Sequence, residues 1–141
     1  MSAISEKVRV AMYSKLNVSG VTSLATVYES LPPDNASLPY LIFRRQAPGE
    51  ADYSMGLTQQ LESDLWLIKA VTDEDSDTTK EPQKLAEDIL AAAITALGTT
   101  LTLTGNTVVY YARFADMPPF EERLGDRTIY HRGMLWRIAT T

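Results

Sequence analysis

The longest strand pattern in the sequence is Leu61-Glu62-Ser63-Asp64-Leu65-Trp66-Leu67-Ile68-Lys69-Ala70, within the stretch Gln60–Thr72. Polar and apolar residues alternate through its first half, and its second half is apolar on both sides. Alternation with a period of two is typical of a strand with one covered face, whereas an apolar run on both faces indicates burial on both sides. The stretch therefore predicts a long strand that is exposed at its start and buried at its end.

Helices and further strands are predicted on both sides of this stretch. Apolar residues recur every three or four positions in Ser2–Leu16 and in a second helix that opens at Thr78 or Thr79 and ends at Gly98. Five further strands are predicted at Ala25–Ser30, Tyr40–Arg45, Thr100–Thr104, Thr107–Ala115 and Arg127–Ala139.

The breaks between these segments predict how they are connected. Gly105-Asn106 separates two alternating segments and predicts a hairpin. Pro48–Thr58 and Asp116–Asp126 are predicted as irregular loops. Gly133 interrupts the last strand and indicates a bulge or a close backbone contact. The predicted fold is α+β, a mostly antiparallel sheet with two amphipathic helices packed on one face.

Composition limits the function classes. The 141 residues suit one domain, here taken as residues 1–141. There are 18 acidic and 13 basic residues, a net charge of −5, which argues against non-specific DNA binding because that affinity comes from basic residues. The absence of cysteine excludes disulfides, thiol nucleophiles and zinc-finger sites. No apolar run approaches the ~20 residues that cross a bilayer, so no membrane association is expected.

Few residue patterns point to chemistry. Asp73, Asp75 and Asp77 have the 1-3-5 spacing of a calcium loop, but Thr78 stands where glycine is needed and Lys84 where glutamate is needed. A solvated acidic turn is favoured over a metal-dependent hydrolase, which stays open as an alternative. The single histidine, His131, has no partner suggested by spacing. Glu121 and Glu122, in a proline-rich segment, are interpreted as solvent-facing charges rather than paired acids. We expect no enzyme, no cofactor and no metal site.

Charge is unevenly distributed along the chain. Residues 59–106 hold nine acids and three bases, a net charge of −6, while the flanking segments are nearly neutral. Asp73, Glu74, Asp75 and Asp77 are therefore a candidate acidic edge or pore lining, which would repel the phosphates of passing DNA. The alternative is that these acids only keep the protein in solution.

Several residues are candidates for a subunit interface. Arginine and exposed apolar side chains on irregular segments are enriched where proteins meet. The candidates are Arg44, Arg45, Tyr53, Met55, Leu57, Met117 and Phe120. In the alternative interpretation the arginines form ion pairs on the sheet surface and the apolar side chains fold back on their own domain.

The order of these parts resembles the tail terminator, or tail completion, family of long-tailed bacteriophages. The resemblance is carried by Leu38-Pro39-Tyr40-Leu41-Ile42-Phe43, by the long strand from Leu61 to Ala70, and by the helix segment Ala86-Glu87-Asp88-Ile89-Leu90-Ala91-Ala92-Ala93. It covers nearly the whole chain. The loop Asp116–Asp126 has no counterpart in the family pattern.

The resemblance implies a structural role in a virion. Such proteins resemble tail-tube subunits in fold, close into a hexameric ring at the head-proximal end of the tail, stop tube polymerisation and offer the surface that joins the head. The implied partners are further copies of the chain, the tail tube protein and the head-tail connector proteins, with DNA passing through without specific binding. Assembly would take place in the cytoplasm of the bacterial host. The family carries no catalytic residues, so none are assigned. A head-closure protein of the phage neck is the alternative within the virion.

Overall fold

The fold was analysed in a computed structural model, which describes residues 3–53, 60–77 and 79–141. These residues form three helices and six strands. In chain order they are α1 (Ala3–Leu16), α2 (Ser19–Thr22), β1 (Thr26–Glu29), β2 (Tyr40–Tyr53), β3 (Gln60–Asp73), α3 (Pro82–Leu97), β4 (Val108–Asp116), β5 (Phe120–Leu124) and β6 (Arg127–Thr140).

All six strands belong to one sheet with the order β1-β2-β3-β6-β4, and β5 pairs with β6. Only β1 and β2 run parallel, and the other pairs are antiparallel. The central strands align Phe43 with Ile68 and Ile68 with Met134. The predicted α+β class and mostly antiparallel sheet are confirmed.

The main helices cover the face of the sheet that carries Phe43, Ile68 and Met134. Buried side chains from both layers form one core: Val8, Met12 and Leu16 of α1, Leu85, Ile89, Ala93 and Leu97 of α3, and Leu41, Phe43, Trp66, Ile68, Ala70, Met134, Trp136 and Ile138 of the sheet. Aromatic contacts join the layers, with the rings of Tyr13 and Phe43 6.2 Å apart. The predicted packing of two helices on one face is therefore confirmed.

The second half of β3 is buried on both faces, as its sequence predicts. Leu67, Ile68, Ala70 and Val71 are each at most 5% exposed. Gly133 of β6 lies opposite Lys69 of β3, and a Cβ atom there would come within 3.4 Å of the backbone oxygen of Ile68. The sequence indicated either a bulge or a close backbone contact at Gly133, and the structure shows the close contact.

Three sequence-based predictions were wrong. Residues 48–53 belong to β2, because this strand pairs with β3 as far as Tyr53. The Gly105-Asn106 hairpin is reduced to an isolated bridge between Leu103 and Asn106, since β4 pairs with β6 instead. The predicted loop Asp116–Asp126 contains β5.

One helix boundary and one short helix also differ from the predictions. The second helix begins at Pro82, after an extended Glu81, and not at Thr78 or Thr79. The hydroxyl of Thr72 donates to the Pro82 carbonyl oxygen at 2.9 Å, which ties the helix start to the end of β3. The short helix α2 was not predicted, since four residues are too few for a periodic pattern.

Candidate functional site

The sheet has two outer edges that differ in structure. On one side β1 covers β2 only from Tyr40 to Phe43, and in the part of the chain that the structure describes no strand pairs with the outer side of β2 beyond that point. On the other side β4 and β5 both pair with β6, with a break at residues 117–119. At this break the backbone N–H of Met117 donates to the carbonyl oxygen of Gly133 at 2.9 Å.

A groove of about 480 Å³ lies at the point where β1 ends and the edge of β2 becomes unpaired. We call it the arginine groove. Its walls include Arg9, Glu29, Ser30, Arg44, Arg45 and Trp66. Ser30 leaves β1 with φ of 63°, a left-handed conformation, while its N–H donates to the Phe43 carbonyl oxygen at 2.8 Å. This turn follows the last residue pair of β1 and β2 and forms one wall of the groove.

Two of the three arginines of the groove are paired with carboxylates. Arg9 pairs with Glu6 and with Glu29, and these hydrogen bonds raise the pKa of the Arg9 guanidinium. Arg45 lies 3.0 Å from the Asp64 carboxylate through its Nη2 atom. The other oxygen of Asp64 accepts a hydrogen bond from the Ser5 hydroxyl at 3.0 Å. The Arg45–Asp64 pair thus links β2 and β3 to α1.

Three side-chain N–H groups of residues at the arginine groove find no acceptor in the described part of the chain. Among the described residues, no hydrogen-bond acceptor is found for Nε of Arg44, Nε of Arg45 or Nε1 of Trp66, although all three atoms are buried. Buried polar groups are hydrogen-bonded in the great majority of cases. Arg45 and Trp66 lie on the face of the sheet that the helices cover, whereas Arg44, which lies near Lys69, is on the other face.

The opposite edge carries several exposed apolar side chains beside exposed charged ones. Exposure reaches 47–57% for Val109, Tyr110, Phe114, Phe120 and Leu124, all on β4 or β5. The guanidinium of Arg137 lies 5.8 Å from the ring of Phe114. Large apolar side chains clustered on one surface mark an interaction site more often than scattered ones do.

A cavity of about 300 Å³ lies between this edge and α3, lined in part by Gln83, Phe120 and His131. The rings of Phe120 and His131 stack with 4.2 Å between centroids. Burial and the nearby Lys69 ammonium lower the pKa of His131, and the Glu122 carboxylate, 3.8 Å from Nε2, opposes that shift only in part. The surroundings of His131 therefore favour its neutral form more than water does.

The acidic turn after β3 is internally hydrogen-bonded. Asp73 is 4% exposed and accepts from Ser76 Oγ, from the Asp75 N–H and from Arg127. Asp77 accepts from the N–H and hydroxyl of Thr79. Only Glu74 and Asp75 of the four predicted acids are exposed. Whether they face a pore stays a prediction.

Neither a metal site nor a membrane helix is found in the described ranges 3–53, 60–77 and 79–141. Within them no three His, Cys, Asp or Glu side chains are close enough to hold a metal ion. The described helices include none that is long and apolar enough to cross a membrane.

The structure distributes the predicted interface residues over both edges. Arg44 and Arg45 line the arginine groove, while Met117 is half-buried and Phe120 is 51% exposed at the β4–β5 edge. Tyr53 is the last residue of β2, and Met55 and Leu57 lie outside the described residues. Their role in an interface stays a prediction.

Sequence reasoning missed other residues of these surfaces. Arg9 and Trp66 of the arginine groove gave no signal, because a helix and a strand far apart in sequence bring them together. Tyr110 and Phe114 of the opposite edge could have been found from their alternation in the β4 sequence Tyr110-Tyr111-Ala112-Arg113-Phe114.

Comparisons with known proteins give one clear finding. No protein-family model matches the sequence, and no curated protein matches it either. The fold is similar to that of a chain in a solved structure described as "Virion of native gene transfer agent (GTA) particle", with a TM-score of 0.70 and 18% sequence identity. The match covers 99% of this chain and 98% of the other. At this identity the likeness shows a shared fold over the full length.

Proposed function

We propose that this chain is a structural protein of a phage-like particle, and specifically a tail terminator that closes into a ring of six. The observation that carries the proposal is the end-to-end fold likeness to a chain of a gene transfer agent virion. Because the match covers 99% of this chain and 98% of the other, the likeness concerns the whole fold described above and not a common small motif.

Two features of the chain support a ring. A ring of identical subunits needs two different patches on each copy, since every contact is heterologous. The open sheet offers two such patches, the arginine groove at the end of β1 and the apolar edge of β4 and β5. The resemblance of the segments 38–43, 61–70 and 86–93 to the tail terminator family supports a position at the head-proximal end of the tail.

The protein acts in this proposal by shape and not by catalysis. Its ring caps the tail tube, stops further tube growth and provides the surface for the head-tail connector proteins. The exposed acids Glu74 and Asp75 belong to a segment with a net charge of −6, and such charge keeps DNA from adhering as it passes.

A mass measurement tests the ring. Light scattering on the purified protein, alone and mixed with purified tail tubes, is expected to give a species of six subunits, and electron microscopy of the mixture is expected to show capped tube ends. A protein that stays monomeric and never occupies tube ends would contradict the proposal.

Particles made without the protein distinguish its position. Loss of a tail terminator is expected to give over-long tails or tails without heads. Filled heads that leak DNA beside normal free tails would instead identify a head-closure protein, the alternative within the virion.

A further inference from the structure

The register of the sheet places Arg44 and Phe114 at opposite ends of one row of residues. The row crosses β2, β3, β6 and β4 through residues that pair with one another: Arg44, Leu67, Leu135 and Ala115. Phe114 comes just before Ala115, where the pairing of β4 with β6 is irregular. Two copies placed edge to edge with these rows in line therefore bring Phe114 of one next to Arg44 of the other.

Phe114 and Arg44 also lie on the same face of the sheet, the one that the helices leave uncovered. Arg44 stands near Lys69 on that face. The ring of Phe114 lies 5.8 Å from the guanidinium of Arg137, and Arg137 pairs with Leu65 on the same face. The two side chains of neighbouring copies can therefore meet without either one crossing the plane of the sheet.

Both ends of the row are open to a second copy. On β2 the pairing with β1 ends at Phe43, and no described strand pairs with the outer side of β4. Phe114 is 52% exposed. Arg44 lines the arginine groove, whose volume of about 480 Å³ is larger than a phenylalanine side chain. A phenylalanine from outside the subunit therefore has both access to this groove and room in it.

The two groups are chemically complementary. A guanidinium is attracted to the face of an aromatic ring, and the attraction is stronger where water is excluded. Arg44 makes no ion pair with any residue that the structure describes. Stacking on a ring requires no carboxylate, so the ion pairs of Arg9 and Arg45 in the same groove can stay as they are.

We propose that Phe114 of each subunit inserts into the arginine groove of the next copy and stacks on the guanidinium of Arg44. This inference rests on the proposed ring, which supplies the neighbouring copy. Each subunit gives its Phe114 to one neighbour and its groove to the other, which is the heterologous arrangement that a closed ring requires.

Chemical crosslinking locates the contact. The chain contains no cysteine, so introduced cysteines are its only thiols. Ala115 is exposed beside Phe114, and Gln46 is exposed at the groove. On tail tubes, a short bifunctional thiol reagent is expected to join subunits of the variant Ala115→Cys/Gln46→Cys into covalent series of up to six. The matched control is Ala115→Cys/Thr102→Cys, with Thr102 exposed beside α1, and it should give no such series.

A double-mutant cycle tests whether Phe114 and Arg44 touch. Phe114→Leu and Arg44→Gln should each raise the subunit concentration that half-fills the tube ends by at least about tenfold, because each removes a shielded cation–π contact. The double variant should be little worse than either single one, since both changes remove the same contact. Circular dichroism verifies that each variant is folded.

The control for the cycle is Lys84→Gln on α3. The Lys84 side chain is 65% exposed and lies away from both sheet edges. This change should leave assembly unaltered, and its effect should add to that of Phe114→Leu.

The outcomes separate this contact from the ring itself. Rings of six that give no crosslinked series from the Ala115→Cys/Gln46→Cys variant, or additive losses in the Phe114→Leu/Arg44→Gln variant, would refute the contact and leave the ring standing. Crosslinked copies that never close into a ring would keep the contact and refute the ring. A protein that stays monomeric on tail tubes would refute both.

Discussion

At the scale of single residues, Asp64 joins the two layers of the fold. It is 4% exposed, and its two oxygens are shared between Arg45 of β2 and Ser5 of α1. A buried ion pair adds little net stability when intact, yet removing one partner leaves the other charge buried and uncompensated. The contribution of Asp64 to stability is therefore measured by replacing it and not by the strength of the intact ion pair.

We expect Asp64→Asn to lower the free energy of unfolding by about 3 kcal/mol, near the low end for such changes because the Arg45 side chain is 25% exposed. Urea denaturation monitored by tryptophan fluorescence measures the change. Asp116→Asn is the matched control, because its pair with Arg113 is exposed and 3.6 Å long, and it should leave stability nearly unchanged. Equal losses in both variants would contradict this account of Asp64.

Asp73 gives the fold an acid-sensitive contact. Burial alone would raise the pKa of its carboxyl, but hydrogen bonds from Ser76 and Arg127 outweigh burial and hold that pKa below its usual value of 3.8. The unfolded chain therefore binds the proton more readily than the folded one. The stability that Asp73 contributes is present above about pH 4 and is lost as the pH falls towards the lowered pKa.

Replacing Asp73 should remove that part of the pH dependence. We expect Asp73→Asn to be less stable than the native protein at neutral pH, and the difference between the two to shrink as the pH falls below about 4. Urea denaturation across this range measures it. A constant difference at every pH would show that the carboxylate charge of Asp73 is not what stabilises the turn.

At the scale of secondary-structure elements, the end of α3 is held by donors from two other elements. Its final carbonyl, that of Leu97, accepts from the Tyr111 hydroxyl at 2.8 Å and from the Lys15 ammonium at 3.2 Å. The last carbonyls of a helix have no partner within the helix. Tyr111 of β4 and Lys15 of α1 therefore fasten the helix to the rest of the domain.

Adjacent tyrosines provide a matched test of this anchor. Tyr111→Phe removes the bond to Leu97 and should cost about 1 kcal/mol of stability. Tyr110→Phe changes the neighbouring side chain, which is 47% exposed, and should stay within about 0.5 kcal/mol of the native protein. Urea midpoints at unchanged slope measure both. A larger loss in the Tyr110 variant would contradict the anchoring role.

The elements that the sequence predicts best are those whose pattern is local. The helix now described as Ala3–Leu16 and the strand Gln60–Asp73 were expected because an apolar period runs through each. β5 was missed because Phe120-Glu121-Glu122-Arg123-Leu124 has no buried face and becomes a strand only by pairing with β6. The Gly105-Asn106 hairpin failed for the same reason, since β4 pairs with β6, whose paired residues lie 18 (Asp116 and Met134) to 32 (Val108 and Thr140) positions further along the chain.

The candidate site was predictable only in part. Arginine on a strand suggested contact with a partner, and Arg44 and Arg45 do line the groove. The ion pair between Arg45 and Asp64, and the two arginine Nε atoms that find no acceptor among the described residues, are properties of the tertiary structure. No local pattern could have shown them.

At the scale of the whole molecule, exposed apolar groups are concentrated on one edge. Of the eight large apolar side chains that are exposed in the described part of the chain, five belong to β4 and β5. The other three are Val10, Val18 and Leu31, on α1 or in the connections beside α2 and β1. A monomeric protein would leave these apolar side chains in contact with water. A subunit of a ring would bury them against the next copy.

The proposed ring predicts which surface substitutions prevent assembly. Phe114→Ser and Leu124→Ser, both at the β4–β5 edge, should leave the folded subunit stable, because these side chains are 52% and 57% exposed, and should reduce ring formation on tail tubes. Val10→Ser on α1, at 50% exposure, is the matched control and should assemble as the native protein does. Light scattering measures assembly, and circular dichroism confirms that each subunit is folded. If the edge variants and the control assemble equally well, the exposed apolar edge is not a contact between copies, and the ring would have to be built on other surfaces.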